Sequence, residues 1–364
     1  MVYRRPYSRR GGSRVRTTYD FTLDGKNFGG TKNTTDTVFE KEILDRAANL
    51  TPPMDIRNRI NQYARKVINA LEAEKTEKSL PNVAVERIKH VGSFVTDTCT
   101  HSSDKSDIVV ELNSLPSFET MSELGEKVVE NMKKADEKDT SVALAQSYGC
   151  SIMAHNCQVR ILVTINASDS NKLEPDLHLE KLQLMKNSFA VGHTCWFLDL
   201  INSSPPDFVQ EYQALVRVLK DVRARFIAFQ NLSIWALQYL AFYSLSNGPN
   251  REKISLGTAF RRFFELIAAG LFVPKAPVLI DPTCPMRIGF DLTPAQMDAL
   301  CISAQTVIRI FATGNDGYRA VLGTQGSAQD LTQATTTWKG VEIRPSIEAY
   351  KEGCMGIKYA PLRS

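Results

Sequence analysis

The sequence predicts an α+β fold: a small mixed sheet flanked by helices, then a mainly helical C-terminal lobe. Three observations predict it. Between residues 83 and 165, β-like stretches rich in branched residues surround one amphipathic segment. Beyond Pro175 the apolar spacing becomes almost wholly helical. Residues 91–112, VGSFVTDTCTHSSDKSDIVVEL, place a Gly-Ser turn after one strand and a carboxylate at the start of the next.

With 364 residues, 43% of them hydrophobic and 23% charged, the chain is long enough for two lobes with separate cores. Its net charge of +4 comes from the N-terminus, where Arg4, Arg5, Arg9, Arg10, Arg14 and Arg16 stand against Asp20 alone. The rest of the chain is close to neutral and does not call for a broad nucleic-acid surface. Residues 1–37 are expected to form a disordered basic arm, with those six arginines as candidate RNA contacts. Seven cysteines without CxxC spacing point to a reducing intracellular compartment and away from structural zinc. The absence of an apolar run of about 18 residues argues against a membrane span.

In chain order, a helix is expected from Thr51, with Thr51 as its cap and Pro52 in its first turn. Ile56, Ile60, Tyr63, Ala64, Val67 and Leu71 make its apolar stripe. Val83, Val85 and Val91 lie in a strand ending at Gly92, and Asp107 opens a strand through Ile108, Val109, Val110 and Leu112. Residues 118–134 present Met121, Leu124, Val128 and Met132 at helical spacing, and strands follow near 149–154 and 158–165. This sheet lobe is expected over 38–175. The second lobe, 176–345, has candidate helices near 177–188, 207–226, 233–246, 256–271 and 294–312. Its FRRFFELIAAGLF stretch is apolar nearly all round, as a helix buried on two sides would be. Residues 274–291 have the Pro and Asp content of a loop, and 346–364 are expected to be a loose tail.

The Gly-Ser turn defines the candidate site. Glycine lets backbone approach a triphosphate closely, and a following strand with carboxylates at i and i+2 can hold metal ions. That is a nucleotidyltransferase-like layout. Here the first carboxylate is Asp107, but position i+2 is Val109, which cannot ligate a metal. Glu111 shares that face but lies roughly 13 Å further along the strand, and Asp104 sits in the loop. A third acid would come from the central strand QVRILVTI, which carries Arg160 instead. One carboxylate cannot complete the demanding shell of Mg²⁺. The expectation is therefore no catalytic residues and no metal, with Val109 and Arg160 marking the lost acid positions. Gly92, Ser93, Asp107 and Lys220 remain as a pocket remnant able to hold a nucleotide without turnover, with Lys220 a point charge for phosphate. Alternatively, Lys220 and Arg217 are surface positions of an amphipathic helix. His193 and Cys195 in GHTCWF form either a Cys–His couple lacking a third group or part of an interior seam beside Trp196.

The stretches VGSFVTDTCTHSSDKSDIVVEL, QVRILVTI, LEPDLHLEKLQ, HTCWF, VRVLKDVRARF, AFRRFFELIAAGLFVP, AQTVIRIFATG and YRAVLGTQG occur in consistent order over about residues 38–350. By them the chain resembles the DZF (domain associated with zinc fingers) family. The resemblance implies a nucleotidyltransferase fold that has lost catalytic acids and requires no cofactor. It also implies a heterodimer in the nucleus, and in the cytoplasm too, with a larger DZF partner bearing double-stranded-RNA-binding domains or zinc fingers. RNA would be bound mainly through that partner, in support of transcription and RNA processing. The family's interface maps onto 256–272 and 294–322, with Phe263, Phe264, Leu271, Ile308 and Phe311 as candidate contacts. Two other readings are an active template-independent RNA nucleotidyltransferase using Asp104 or Glu111, and a direct RNA binder acting through the basic arm.

Overall fold

The structure, a computed structural model, describes residues 36–154, 157–246, 252–273, 279–311, 315–324, 336–338 and 341–343. The six arginines of the basic arm and the tail 346–364 lie outside the described residues. Helices α1 (Thr37–Leu50) and α2 (Met54–Glu77) lead into β1 (Val85–Val91) and β2 (Lys105–Leu112). Helix α3 (Phe118–Ala135) precedes β3 (Val142–Gln146), β4 (Gly149–Ala154) and β5 (Cys157–Ile165). Then come α4 (Lys181–Ser203), α5 (Pro206–Arg225), α6 (Ile234–Leu245), α7 (Leu256–Ala268), α8 (Pro294–Phe311) and α9 (Asn315–Leu322). A short antiparallel ribbon, β6 (Thr336–Trp338) and β7 (Val341–Ile343), follows.

The five strands order as β1-β2-β5-β4-β3, with β2 and β5 parallel and the other pairs antiparallel. Alternation sorts the side chains of β2. Ile108, Val110 and Leu112 join the core made with Ile60, Val67 and Leu71 of α2 and Met121, Leu124 and Val128 of α3. Asp107, Val109 and Glu111 therefore point to the opposite face. The predicted stripes of α2 and α3 thus cover one side of the sheet. A capping box between Ser117 and Thr120 starts α3.

Three expectations require correction. Thr51 does not cap α2, which begins after Pro53; it ends α1, and its hydroxyl donates to the Ala47 carbonyl at 2.9 Å. Helix α1 was not anticipated. Its Phe39, Ile43, Ala47 and Leu50 form one stripe that packs into the helical lobe rather than the sheet lobe to which 38–175 was assigned. Strand β3 was also missed: it is an edge strand with apolar Val142 and Leu144 exposed and Ala143 and Ala145 against the core, so it lacks the polar-apolar alternation of a half-buried strand. In addition, α4 runs far beyond the expected residue 188. Leu184 belongs to the sheet core and Phe197 to the helical core, so this bridging helix has no single apolar stripe.

The five expected interface contacts lie inside the chain's own core. Phe263, Phe264, Leu271, Ile308 and Phe311 are each 5% exposed or less. Phe264 meets Phe260, Phe229 and Phe311 edge-on with centroids 5.3, 5.6 and 5.6 Å apart. The all-round apolar character of α7 is met by α6 and α8 within the same chain. Phe264→Ala should therefore destabilise the isolated chain by about 3–5 kcal/mol, measured by denaturant unfolding. A core role would be contradicted by unchanged stability coupled with lost association.

Candidate functional site: a cleft with a caged carboxylate

Val91 ends β1 opposite Asp107, and Gly92 turns the chain with φ +83°. A Cβ at Gly92 would stand 3.0 Å from the Asp107 Oδ2, so both the backbone angle and the crowding call for glycine. The Gly92 N–H donates to the Thr194 hydroxyl of α4 at 3.2 Å, which anchors the turn to the helix covering this face of the sheet. Helix α4 is held there a second time, because the Asn187 amide donates to the carbonyls of Tyr148 and Val163 at 2.9 and 2.6 Å.

The parallel register makes Asp107 and Arg160 direct neighbours. Arg160 Nε donates to Asp107 Oδ1 at 2.6 Å and Nη2 to Oδ2 at 2.8 Å, a bidentate ion pair. Tyr148 lies under the guanidinium at 6.0 Å. Burial tends to lower the Arg160 pKa, but the Asp107 carboxylate outweighs it and holds the guanidinium above its usual value. Val109, two residues on, is 3% exposed and aliphatic. Glu111 is turned to Arg87 at 3.6 Å, and Asp104 is exposed in the loop. Among the described residues no group of three or more His, Cys, Asp or Glu could hold a metal ion. A two-metal carboxylate set does not fit these side chains.

Residues 94–101 are gripped by one face of α5. Gln213, Arg217 and Lys220, spaced i, i+4, i+7, reach this loop together. Gln213 donates to the Thr96 carbonyl at 3.1 Å, Arg217 to the Cys99 carbonyl at 3.3 Å and the Asp97 carboxylate at 2.9 Å. Lys220 Nζ donates to the Thr98 carbonyl and hydroxyl at 2.9 and 3.1 Å. Asp97, at φ +52°, also receives Arg57 of α2 at 2.6 Å. Arg217 and Lys220 are thus turned inward onto the loop, not out to solvent. Burial pushes the Lys220 ammonium down to about 8, against a smaller opposing pull from Cys99 and Asp107. The structure brings Gly92, Asp107 and Arg160 together, while Lys220 and the Ser93 carbonyl both meet Thr98 of the loop. Sequence reasoning missed Gln213 and Arg57, since a polar helix face gives no hint that its target is a loop carbonyl.

His193 and Cys195 do not form a couple: Cys195 is exposed, and His193 Nε2 bonds the Asp281 carboxylate at 3.0 Å. His193 stacks on Trp235 with centroids 4.0 Å apart, and Trp235 Nε1 donates to the same carboxylate at 2.6 Å. Trp196 closes the seam edge-on to Trp235 at 5.4 Å. Asp281 ties the segment before α8 to α4 and α6. Its burial would raise its pKa, but hydrogen bonds from His193 and Thr283 outweigh that and hold the carboxyl at about 2.

A five-stranded mixed sheet followed by a helical lobe, with a Gly-Ser turn between β1 and β2, is a nucleotidyltransferase-like fold. Solved structures agree. CdnC of E. coli MS115-1 with ATP is 15% identical, with 79% of this chain and 98% of that chain covered and a TM-score of 0.54. The same protein in its HORMA-deltaN complex gives 17%, 80%, 100% and 0.55. The Cid1 poly(U) polymerase is 10% identical over 79% of this chain and 99% of that chain, with a TM-score of 0.53. Residues 5–202 match the DZF N-terminal domain and residues 211–344 the DZF C-terminal domain. The chain belongs to the DZF family.

The low Asp281 pKa sets a pH dependence. The folded value lies below that of an unfolded aspartate, about 3.9, so its contribution is present above that pH and lost as pH falls towards 2. Thermal unfolding should find the native chain more stable than Asp281→Asn by on the order of 2 kcal/mol at neutral pH. The gap should close between about pH 4 and pH 2. A gap independent of pH would remove the charge from this account.

Proposed function

We propose that this chain is a catalytically inactive nucleotidyltransferase-fold subunit that pairs with a larger DZF protein bearing double-stranded-RNA-binding domains or zinc fingers. In this reading it supports the partner's work in transcription and RNA processing, in the nucleus and also in the cytoplasm, and RNA is bound mainly by the partner. Its cleft holds a nucleotide without turnover and requires no cofactor.

The observation that carries the loss of activity is the bidentate Asp107–Arg160 pair beside Val109. Two-metal transfer needs free carboxylates that hold ions about 3.5–4 Å apart. Here the first acid is occupied by a guanidinium, the second position is aliphatic, and the third supplies the guanidinium itself. Pairing with a DZF partner is supported by family membership. The five buried residues named above are not its contacts in this reading; it uses the outer surface of the helical lobe, whose interior is already filled.

Purified chain incubated with labelled ATP or UTP, an RNA oligonucleotide and Mg²⁺ or Mn²⁺ should give no incorporation above the background of Asp107→Ala. Steady incorporation that Asp107→Ala abolishes would overturn the inactive reading. Co-expression with a DZF partner should give one complex through gel filtration. Separate elution of the two chains at micromolar concentration would count against pairing.

A further inference from the structure

Divalent ions at a nucleotidyltransferase centre do two things: they satisfy the carboxylates, and they neutralise the triphosphate brought next to them. In this chain a side chain already does the first. Both Asp107 oxygens are taken by Arg160, at 2.6 and 2.8 Å. An ion approaching Asp107 would have to displace a bidentate charge-assisted pair and would then find Val109 instead of a second ligand. The pair is nevertheless open to solvent: the Arg160 side chain is 38% exposed and that of Asp107 17%. It uses two of the five N–H donors a guanidinium carries.

The surrounding charge favours an anion. Arg57, Arg160, Arg217 and Lys220 face this turn and loop, against the carboxylates of Asp97, Asp104 and Asp107. Lys220 loses its proton more easily than an ordinary lysine, chiefly through burial. Gly92 keeps the approach to Asp107 and Arg160 free of a side chain.

We propose that the cleft binds a nucleoside triphosphate without a divalent ion, the Arg160 guanidinium standing where a metal would bridge carboxylate and phosphate. This rests on the reading of the cleft as a nucleotide-holding pocket. It adds that the loss of the metal ligands and the gain of Arg160 are one exchange, a fixed internal cation for a diffusible one.

The test is calorimetric titration of the full chain with ATP and with UTP, in EDTA and in excess Mg²⁺, for the native protein and for Arg160→Glu and Arg160→Gln. Native affinity should agree within about twofold between EDTA and Mg²⁺, a difference well under the 1.4 kcal/mol of a tenfold change. Arg160→Glu should lose at least about tenfold in EDTA and recover on adding Mn²⁺, because a carboxylate pair then replaces the ion pair. Arg160→Gln, which keeps hydrogen-bonding groups without the charge, should lose affinity in EDTA and carries the test if Arg160→Glu does not fold by circular dichroism. Native binding that requires Mg²⁺ overturns this inference and leaves the nucleotide-holding reading intact. So does unchanged affinity of both variants in EDTA. No binding of either nucleotide under either condition overturns the nucleotide-holding reading itself.

Discussion

The ion pair between Asp107 and Arg160 is the constraint around which the cleft is arranged. A lone carboxylate at this depth in the sheet would have to be paired, protonated or solvated. The parallel pairing of β2 with β5 puts a guanidinium at the adjacent register position, and the planar fork meets both oxygens. Gly92 then passes the same carboxylate at φ +83°, where a Cβ would stand 3.0 Å from Oδ2 and any side chain would be strained. Turn, strand and counter-ion are therefore one assembly.

The second dependency runs between the lobes. The loop after the Gly-Ser turn exposes a row of carbonyls that no strand satisfies, and buried carbonyls need donors. Helix α5 supplies them from Gln213, Arg217 and Lys220, with Arg57 of α2 completing the contact at Asp97. The helical lobe thus fixes the conformation of this loop directly. Helix α4 ties the same two parts, with Asn187 and Thr194 on the sheet side and Phe197 in the helical core. The Asp281 carboxylate extends the linkage by joining His193 of α4 to Trp235 of α6.

Much of the fold was legible because it rests on periodicity. The stripe Ile60, Val67, Leu71 and the spacing of Met121, Leu124 and Val128 mark faces that one sheet buries. The α7 pattern, apolar all round, correctly signalled burial on two sides, but it could not say whether the second side was another chain or more of the same one. Phe263, Phe264, Leu271, Ile308 and Phe311 are candidate contacts by the family resemblance alone, and the chain's own helices cover them. Helix α1 had a readable stripe, overlooked because it adjoins a polar arm. Strand β3 had little signal, since outward Val142 and Leu144 are as apolar as inward Ala143 and Ala145 and no alternation marks the strand.

Sequence alone determined that Asp107 and Val109 share one face of β2 and that β5 carries Arg160 and no acid, because strand alternation needs no coordinates. Only the tertiary structure decided what Asp107 meets. Whether Arg160 points at Asp107 or away depends on the register between two strands 53 residues apart, and whether Lys220 faces water or a loop carbonyl depends on how one lobe docks on the other. Local chemistry is written along the chain. Long-range contacts depend on packing, which the order of residues does not display.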